Sequence, residues 1–288
     1  MKYLGYGPFG ERKAILPGAT FRFVATGDVK QLSALKTTLR LLHLFGGIGA
    51  RSRRGWGSLA VSGSSEPVLL PFRNQESTKA WIEINLNDVL DRANWSENEE
   101  LLPGFSAFSP HHQMRITAPE SFNAANQNYQ NILKKFYDAF RAVRHYQGDS
   151  YGRIDHDQEY EDYENLEFSS IPYRMAFGFP FNVASRTTDM GIRYKAYLND
   201  KDIDRRASPL FLKVLQGPDN NLYGIALFLK SHFFPQGTVL RAQYRSYRGE
   251  RPRYDRYSPM EGEAFFDSFD PERWVAIEEF LQHRIWRE

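Results

Sequence analysis

The stretch Phe45 to Leu59, FGGIGARSRRGWGSL, constrains this chain more than any other. Gly47, Gly49, Gly55 and Gly57 bracket Arg51, Ser52, Arg53 and Arg54 in a pattern of G-x-G, five residues, G-x-G. Glycine admits positive φ and close backbone approach, so such a run reads as a shaped loop and not as the interior of a helix or strand. Paired glycines also leave backbone N–H groups bare for an anion, and three guanidiniums beside them supply charge and planar forks for phosphate. A sugar–phosphate backbone suits that loop. Trp56 either stacks on a base or packs inward between the glycines. The plainer alternative is a tight helix-to-strand turn with solvated arginines at its tip. No Lys-Ser/Thr follows the glycines, and they come after a helical pattern rather than opening one after a strand. Both the P-loop and the dinucleotide fingerprint are therefore excluded.

The flanks give the loop a context. Thr20 to Thr26 (TFRFVAT) alternates as a half-buried strand does, and Gly27-Asp28 breaks it. From Gln31 to Phe45, Leu32, Leu35, Leu39 and Leu42 recur at three- and four-residue steps with Lys36 and Arg40 off the stripe, which predicts an amphipathic helix. Gly57 to Ser62 is short and β-compatible. Strand, helix, glycine loop and strand make half of a ferredoxin-like unit, whose first strand and helix have no counterpart before Thr20. A lone half exposes a sheet edge and an apolar helix face, so the expectation is that either a separate chain supplies the other half or the gene is truncated.

Beyond Gly63 to Glu76, which has linker character, Trp81 to Leu90 fits strand or helix equally. Ser121 to Gln147 reads as a long helix carrying Tyr129, Leu133, Phe136, Phe140 and Val143. Tyr151 to Glu167 (YGRIDHDQEYEDYENLE) is acidic and poor in aliphatics, which predicts a solvated loop. Phe177 to Phe181, Leu210 to Gln216 and Tyr223 to Leu229 are the expected later strands, and Pro271 to Trp286 a terminal helix. The fold class expected is α+β, with an incomplete ferredoxin-like (RRM-like) domain over residues 1–65 and an elaborated second domain over residues 66–288.

Composition narrows the chemistry. The chain has 288 residues and no cysteine, which removes disulfides, thiolate zinc sites and thiol nucleophiles. No apolar run approaches the roughly 18 residues of a membrane span, and the opening MKYLGYGPFGERK carries no signal-peptide core, so a cytoplasmic protein with no membrane partner is expected. Net charge is only +2, so the distribution of charge decides more than its sum. Arg241 to Tyr257 interleaves Arg241, Arg245, Arg248, Arg251, Arg253 and Arg256 with four tyrosines, a density that suits single-stranded RNA or an acidic neighbour. Arg205 and Arg206, in RRASPL, either meet phosphate or pair with Asp200, Asp202 or Asp204. The His111-His112 pair and His156 lack structural-zinc spacing, no Ser-His-Asp elbow appears, and no cofactor is expected.

The loop FGGIGARSRRGWGSL resembles the glycine-rich signature of the RAMP superfamily of CRISPR RNA-binding proteins. Together with FGFPF (residues 177–181), RRASPLFLKV (205–214) and YGIALFLKSHFFPQG (223–237), it is similar to the family of first RAMP subunits of type III-B (Cmr) effector complexes. That resemblance implies a non-catalytic subunit. It would hold the 3′ portion of the guide RNA, assist capture of target RNA, and contact other RAMP subunits. The alternative within the superfamily is a metal-independent RNA-processing endonuclease in which His43, at the helix end, is the general base. The family's extra N-terminal strand and helix are not matched here.

Overall fold

The computed structural model describes residues 19–49, 52–62, 69–73, 76–92, 103, 108–109, 111–121, 128–144, 151–165, 171–178, 182–184, 190–203, 205–235, 237–246, 253–258 and 274–286. Helices and two antiparallel sheets make it an α+β fold.

Strand β7 (Asn221–Phe228) is the axis of the first sheet. Strand β6 (Leu210–Gln216) lies along one of its edges, while β1 (Gln113–Ile116) and β2 (Glu120–Ser121) follow one another along the other. Between β1 and β2 the ladder is carried by Thr117, whose N–H donates to the Gly224 carbonyl and whose Oγ1 accepts from the Gly224 N–H, both at 2.9 Å. Gly224 is required there for a second reason. A Cβ at this position would lie 2.8 Å from Phe136 and 2.9 Å from Ile132, so the helix carrying them crosses the strand where it has no side chain.

Burial on both faces explains the unbroken apolar run of β7. Tyr223, Ile225, Leu227 and Leu229 point to one cluster; Leu222, Ala226 and Phe228 point to the other, at the strand period of two. The first cluster is closed by helix α1 (Val29–Phe45), through Leu44 and Phe45, and by helix α2 (Thr78–Arg92), through Trp81, Ile82 and Leu86. Asp28 starts α1 with a capping box, accepting from Gln31 N at 2.8 Å while Gln31 Oε1 accepts from Asp28 N at 3.1 Å. The Arg40–Asp88 ion pair ties α1 to α2. The second cluster is closed by helix α3 (Tyr129–Arg144), with Ile132, Leu133, Phe136, Phe140 and Val143 on one stripe, and by helix α5 (Val275–Gln282).

The second sheet is ordered β3 (Asn182–Ala184), β4 (Met190–Leu198), β8 (Val239–Ser246), β9 (Arg253–Ser258), with β5 (Lys201–Ile203) also pairing with β4. Its inner residues Ile192, Tyr194, Ala196, Leu240 and Ala242 join the same cluster as α3 and α5.

Several segments differ from their sequence pattern, each for a reason of pairing. Thr20 to Thr26 belongs to no strand, and Phe21, Phe23 and Val24 are about two-thirds exposed, because no neighbouring strand among the described residues offers a ladder. Of Gly57 to Ser62, only Ser58 forms a bridge, with Gly47. The expected acidic loop is instead helix α4 (Tyr151–Asn165). Its Asp155 and Glu159, one turn apart, are buried against Arg174, whose Nε donates to Asp155 Oδ2 at 3.0 Å and whose Nη2 donates to Glu159 Oε2 at 2.6 Å. Asp155 also accepts from the N–H groups of Tyr173 and Arg174, both at 2.7 Å. Those bonds set a 3-10 turn over Tyr173–Phe177 where a strand was expected to begin; residues 179–181 lie outside the described residues.

Burial disfavours the Arg174 cation, but Glu159 and Asp155 more than offset it and hold its pKa above the usual value. Replacing Arg174 by Met is expected to cost about 3–5 kcal/mol in denaturant unfolding at pH 7, because two buried carboxylates lose this cation. The deficit should shrink toward pH 4 as they protonate. A loss below about 1 kcal/mol at pH 7 would mean the triad is not buried as described.

Candidate nucleic-acid interface

The glycine loop is built onto the outer edge of β6. At the end of α1 the Gly46 N–H donates to the Leu42 carbonyl at 3.0 Å, and the chain then closes on itself through the Gly47–Ser58 bridge and the bond from Ile48 N to Gly57 O at 2.9 Å. Gly49, Gly55 and Gly57 all have positive φ. At Gly57 a Cβ would sit 1.9 Å from the Ile48 carbonyl oxygen, so no other residue closes this loop. A Cβ on Gly49 would meet nothing within 4 Å, which leaves that backbone open to approach.

Two hydrogen bonds hold the loop to the sheet. The Leu212 N–H donates to Arg53 O at 2.9 Å beside a parallel Arg54–Leu212 bridge, and Val214 N donates to Ser58 Oγ at 3.1 Å; within the loop, Ser58 Oγ donates to Gly55 O at 2.9 Å. The loop thereby satisfies donors that β6 would otherwise leave bare along its edge. Gly55 packs against Leu133 and Phe136 of α3. Trp56 lies partly buried against the same cluster, so the indole turns inward.

From the other face of β6, Lys213 reaches under the loop. Its side chain is buried, and Nζ donates to the carbonyls of Leu42 at 3.3 Å, Gly46 at 2.7 Å and Leu59 at 2.7 Å. Burial pulls its pKa down to about 7. His43, also buried, accepts from Val61 N through Nδ1 at 2.9 Å. Burial, and then the Lys213 charge, lower His43 to about 4, so its ring is neutral at pH 7. A general-base role would need that Nδ1 or the buried Nε2 to face a substrate, and the geometry gives Nδ1 to the backbone instead.

Residues far apart in the chain meet beside the loop. Arg53 Nη1 donates to Ser208 O at 2.6 Å, with the guanidinium 4.4 Å from the Phe211 ring centre. Arg206 donates through Nη1 to Ala207 O at 3.1 Å, and through Nη2 to Ser231 Oγ at 2.9 Å and His232 O at 2.8 Å, over the rings of Phe233 and Trp274. These two arginines grip consecutive carbonyls, and neither takes a carboxylate among the described residues. Burial, followed by the Arg53 charge, lowers Arg206 to about 10. Asp202 pairs with Lys195 instead, at 3.8 Å. Arg205 is exposed and Ser52 half-buried. Arg51, Arg248 and Arg251 lie outside the described residues; Arg245 is a position on β8. Lys213 escaped the sequence reading because a lone lysine in a strand normally marks a solvated face.

Residues 7–60 match the RAMP superfamily. The match ends where the loop has just closed on Ser58, and it takes in the whole of α1. No curated protein matches the chain, and no solved structure does. Among the described residues no group of three or more His, Asp or Glu could hold a metal ion, and no helix is long and apolar enough to cross a membrane.

Two outcomes test the loop's anchorage. Lys213→Met should lower unfolding free energy by about 2–4 kcal/mol, since it takes the donor from the Gly46 and Leu59 carbonyls while Leu42 O keeps the Gly46 N–H. A wild-type-like melt would sink the anchor assignment. For His43, the unfolded state binds more protons than the folded one between its ordinary pKa and about 4, so its contribution is present above pH 6.5 and is lost as pH falls toward 4. That loss is on the order of 3 kcal/mol. In chemical denaturation between pH 7 and 4, His43→Asn should lose less stability than wild type by about that amount; parallel profiles would refute it.

Proposed function

We propose that this chain is a non-catalytic RNA-binding RAMP subunit of a type III-B (Cmr) CRISPR effector complex, holding guide or target RNA backbone near the guide 3′ end. In this reading residues 1–65 supply a ferredoxin-like RAMP half-unit and residues 66–288 the elaborated remainder. The observation that carries it is the coincidence of the RAMP match with α1 and the loop, whose glycines take positive φ and whose Gly49 backbone stands open. Arg53 and Arg206, held side by side without a carboxylate among the described residues, support the same reading, because a phosphate is the group that such a pair would accept. Binding rather than chemistry is favoured by the burial of His43. The exposed apolar segment with Phe21, Phe23 and Val24 supports a neighbouring RAMP subunit packing against it. The function needs no cofactor.

The purified chain should retain labelled single-stranded RNA in a salt-dependent manner and leave it intact on a denaturing gel. The triple variant Arg51→Ala, Arg53→Ala, Arg54→Ala should flatten the dependence of log affinity on log salt by about 2, from roughly 0.7 per phosphate contact on single strands. RNA cut without added metal would overturn the non-catalytic assignment, and an unchanged slope would overturn the role of the loop.

A further inference from the structure

The second sheet has an outer face that the glycine loop does not share. Along β4 the buried residues Ile192, Tyr194 and Ala196 alternate with the partly exposed Arg193, Lys195 and Tyr197; along β8 the buried Leu240 and Ala242 flank the partly exposed Arg241. The ladder sets Lys195 directly opposite Arg241 and Arg193 opposite Gln243. Like charges facing one another across a ladder repel, and sheets ordinarily avoid the arrangement. Lys195 has Asp202 at 3.8 Å, while Arg241 lies 4.7 Å over the Tyr197 ring. Arg193 has neither an acid nor a ring partner among the described residues. By register, the position of Arg245 falls on the same face opposite Gly191, and that of Tyr257 opposite Gln243.

We propose that this face, with Arg193, Lys195 and Arg241 around Tyr197, is a second binding track for single-stranded RNA. The inference rests on the RNA-binding reading above and extends it to a different surface. A polyanion is the partner that removes the like-charge repulsion. Successive outward residues on one strand stand roughly 7 Å apart and neighbouring strands about 4.8 Å apart, so the cations form a flat patch that an extended phosphate chain can follow. The Arg241 guanidinium, supported from below by the Tyr197 ring, gives a planar stacked surface on which an unstacked base can lie, whereas a duplex keeps its bases stacked on one another. An acidic protein would use the charges but leave the ring without a role. The sequence pattern singled out Arg241 and Arg245; Arg193 and Lys195, nearly fifty residues earlier, join them only through the β4–β8 ladder.

The test uses the full chain and a labelled 20-nucleotide uridine RNA over a potassium chloride series, with Arg193→Gln plus Arg241→Gln compared against the triple loop variant and wild type. Loss of two contacts should flatten the salt slope by about 1.4, which is roughly 25-fold weaker binding at 0.1 M salt if affinities coincide at 1 M. Arg193→Gln alone, whose side chain has no acid or ring partner among the described residues, should flatten it by about 0.7 and keep the wild-type melting temperature. Tyr197→Leu should weaken binding with the slope unchanged. If both sheet variants keep the wild-type slope while the loop variant does not, the track is refuted and the loop assignment stands. If wild type holds no RNA at any salt, both fall.

Discussion

A single ammonium group, that of Lys213, joins the end of α1 and both arms of the glycine loop to the first sheet. It is buried on β6 and spends its donors on three carbonyls belonging to the last turn of α1, the first loop glycine and the chain leaving the loop. A helix C-terminus is electronegative and has unpaired carbonyls, so a cation there answers both needs at once. The cost is desolvation, which appears as the depressed pKa of Lys213 and, through its charge, in the still lower pKa of His43. Without the cation the carbonyls of Gly46 and Leu59 would face one another under the loop with no donor between them.

The loop's position follows from that anchor. Held from below by Lys213 and from the edge by Leu212 and Val214, it wraps β6 from the α1 side of the sheet to the α3 side, where Gly55 and Trp56 pack. A glycine-rich loop free in solution would have to lose much conformational entropy on meeting a ligand. Here the described residues of the loop, 46–49 and 52–59, are already held by the fold, so that cost is smaller for them. Arg53 and Arg206 are likewise fixed before any ligand arrives, by carbonyls and rings on RRASPL and its neighbours. The basic face of the second sheet is organised differently, by the strand period alone, with a buried apolar side fixing which residues face out.

Where one element's own pattern was sufficient, it could be read in one dimension. The stripe of α3 and strands β6 and β7 lie where their periodicity puts them, because each buries the face that its spacing defines. Helix α1 forms over the expected residues but buries Arg40, His43, Leu44 and Phe45 and leaves Leu32 exposed, because only its C-terminal end packs on the sheet and Arg40 pairs with Asp88 of α2. The acidic stretch from Tyr151 was misread because its helix depends on Arg174, well beyond its own end, to neutralise two carboxylates. Thr20 to Thr26 has the alternation of a strand yet forms none, since a strand needs a neighbour as well as a pattern.

The amino-acid sequence by itself determined the α+β character, the glycine loop after an amphipathic helix, and the absence of cysteine chemistry. These are properties of composition and short-range spacing, which act within a few residues. Tertiary structure alone decided that Arg53 meets the carbonyl of Ser208, that Lys213 caps α1, that His43 is neutral and enclosed, and that Arg193 shares a face with Arg241. Each of those joins groups brought together by a sheet ladder or a shared core, and charge, burial and hydrogen bonding take their values only once the partners are in place.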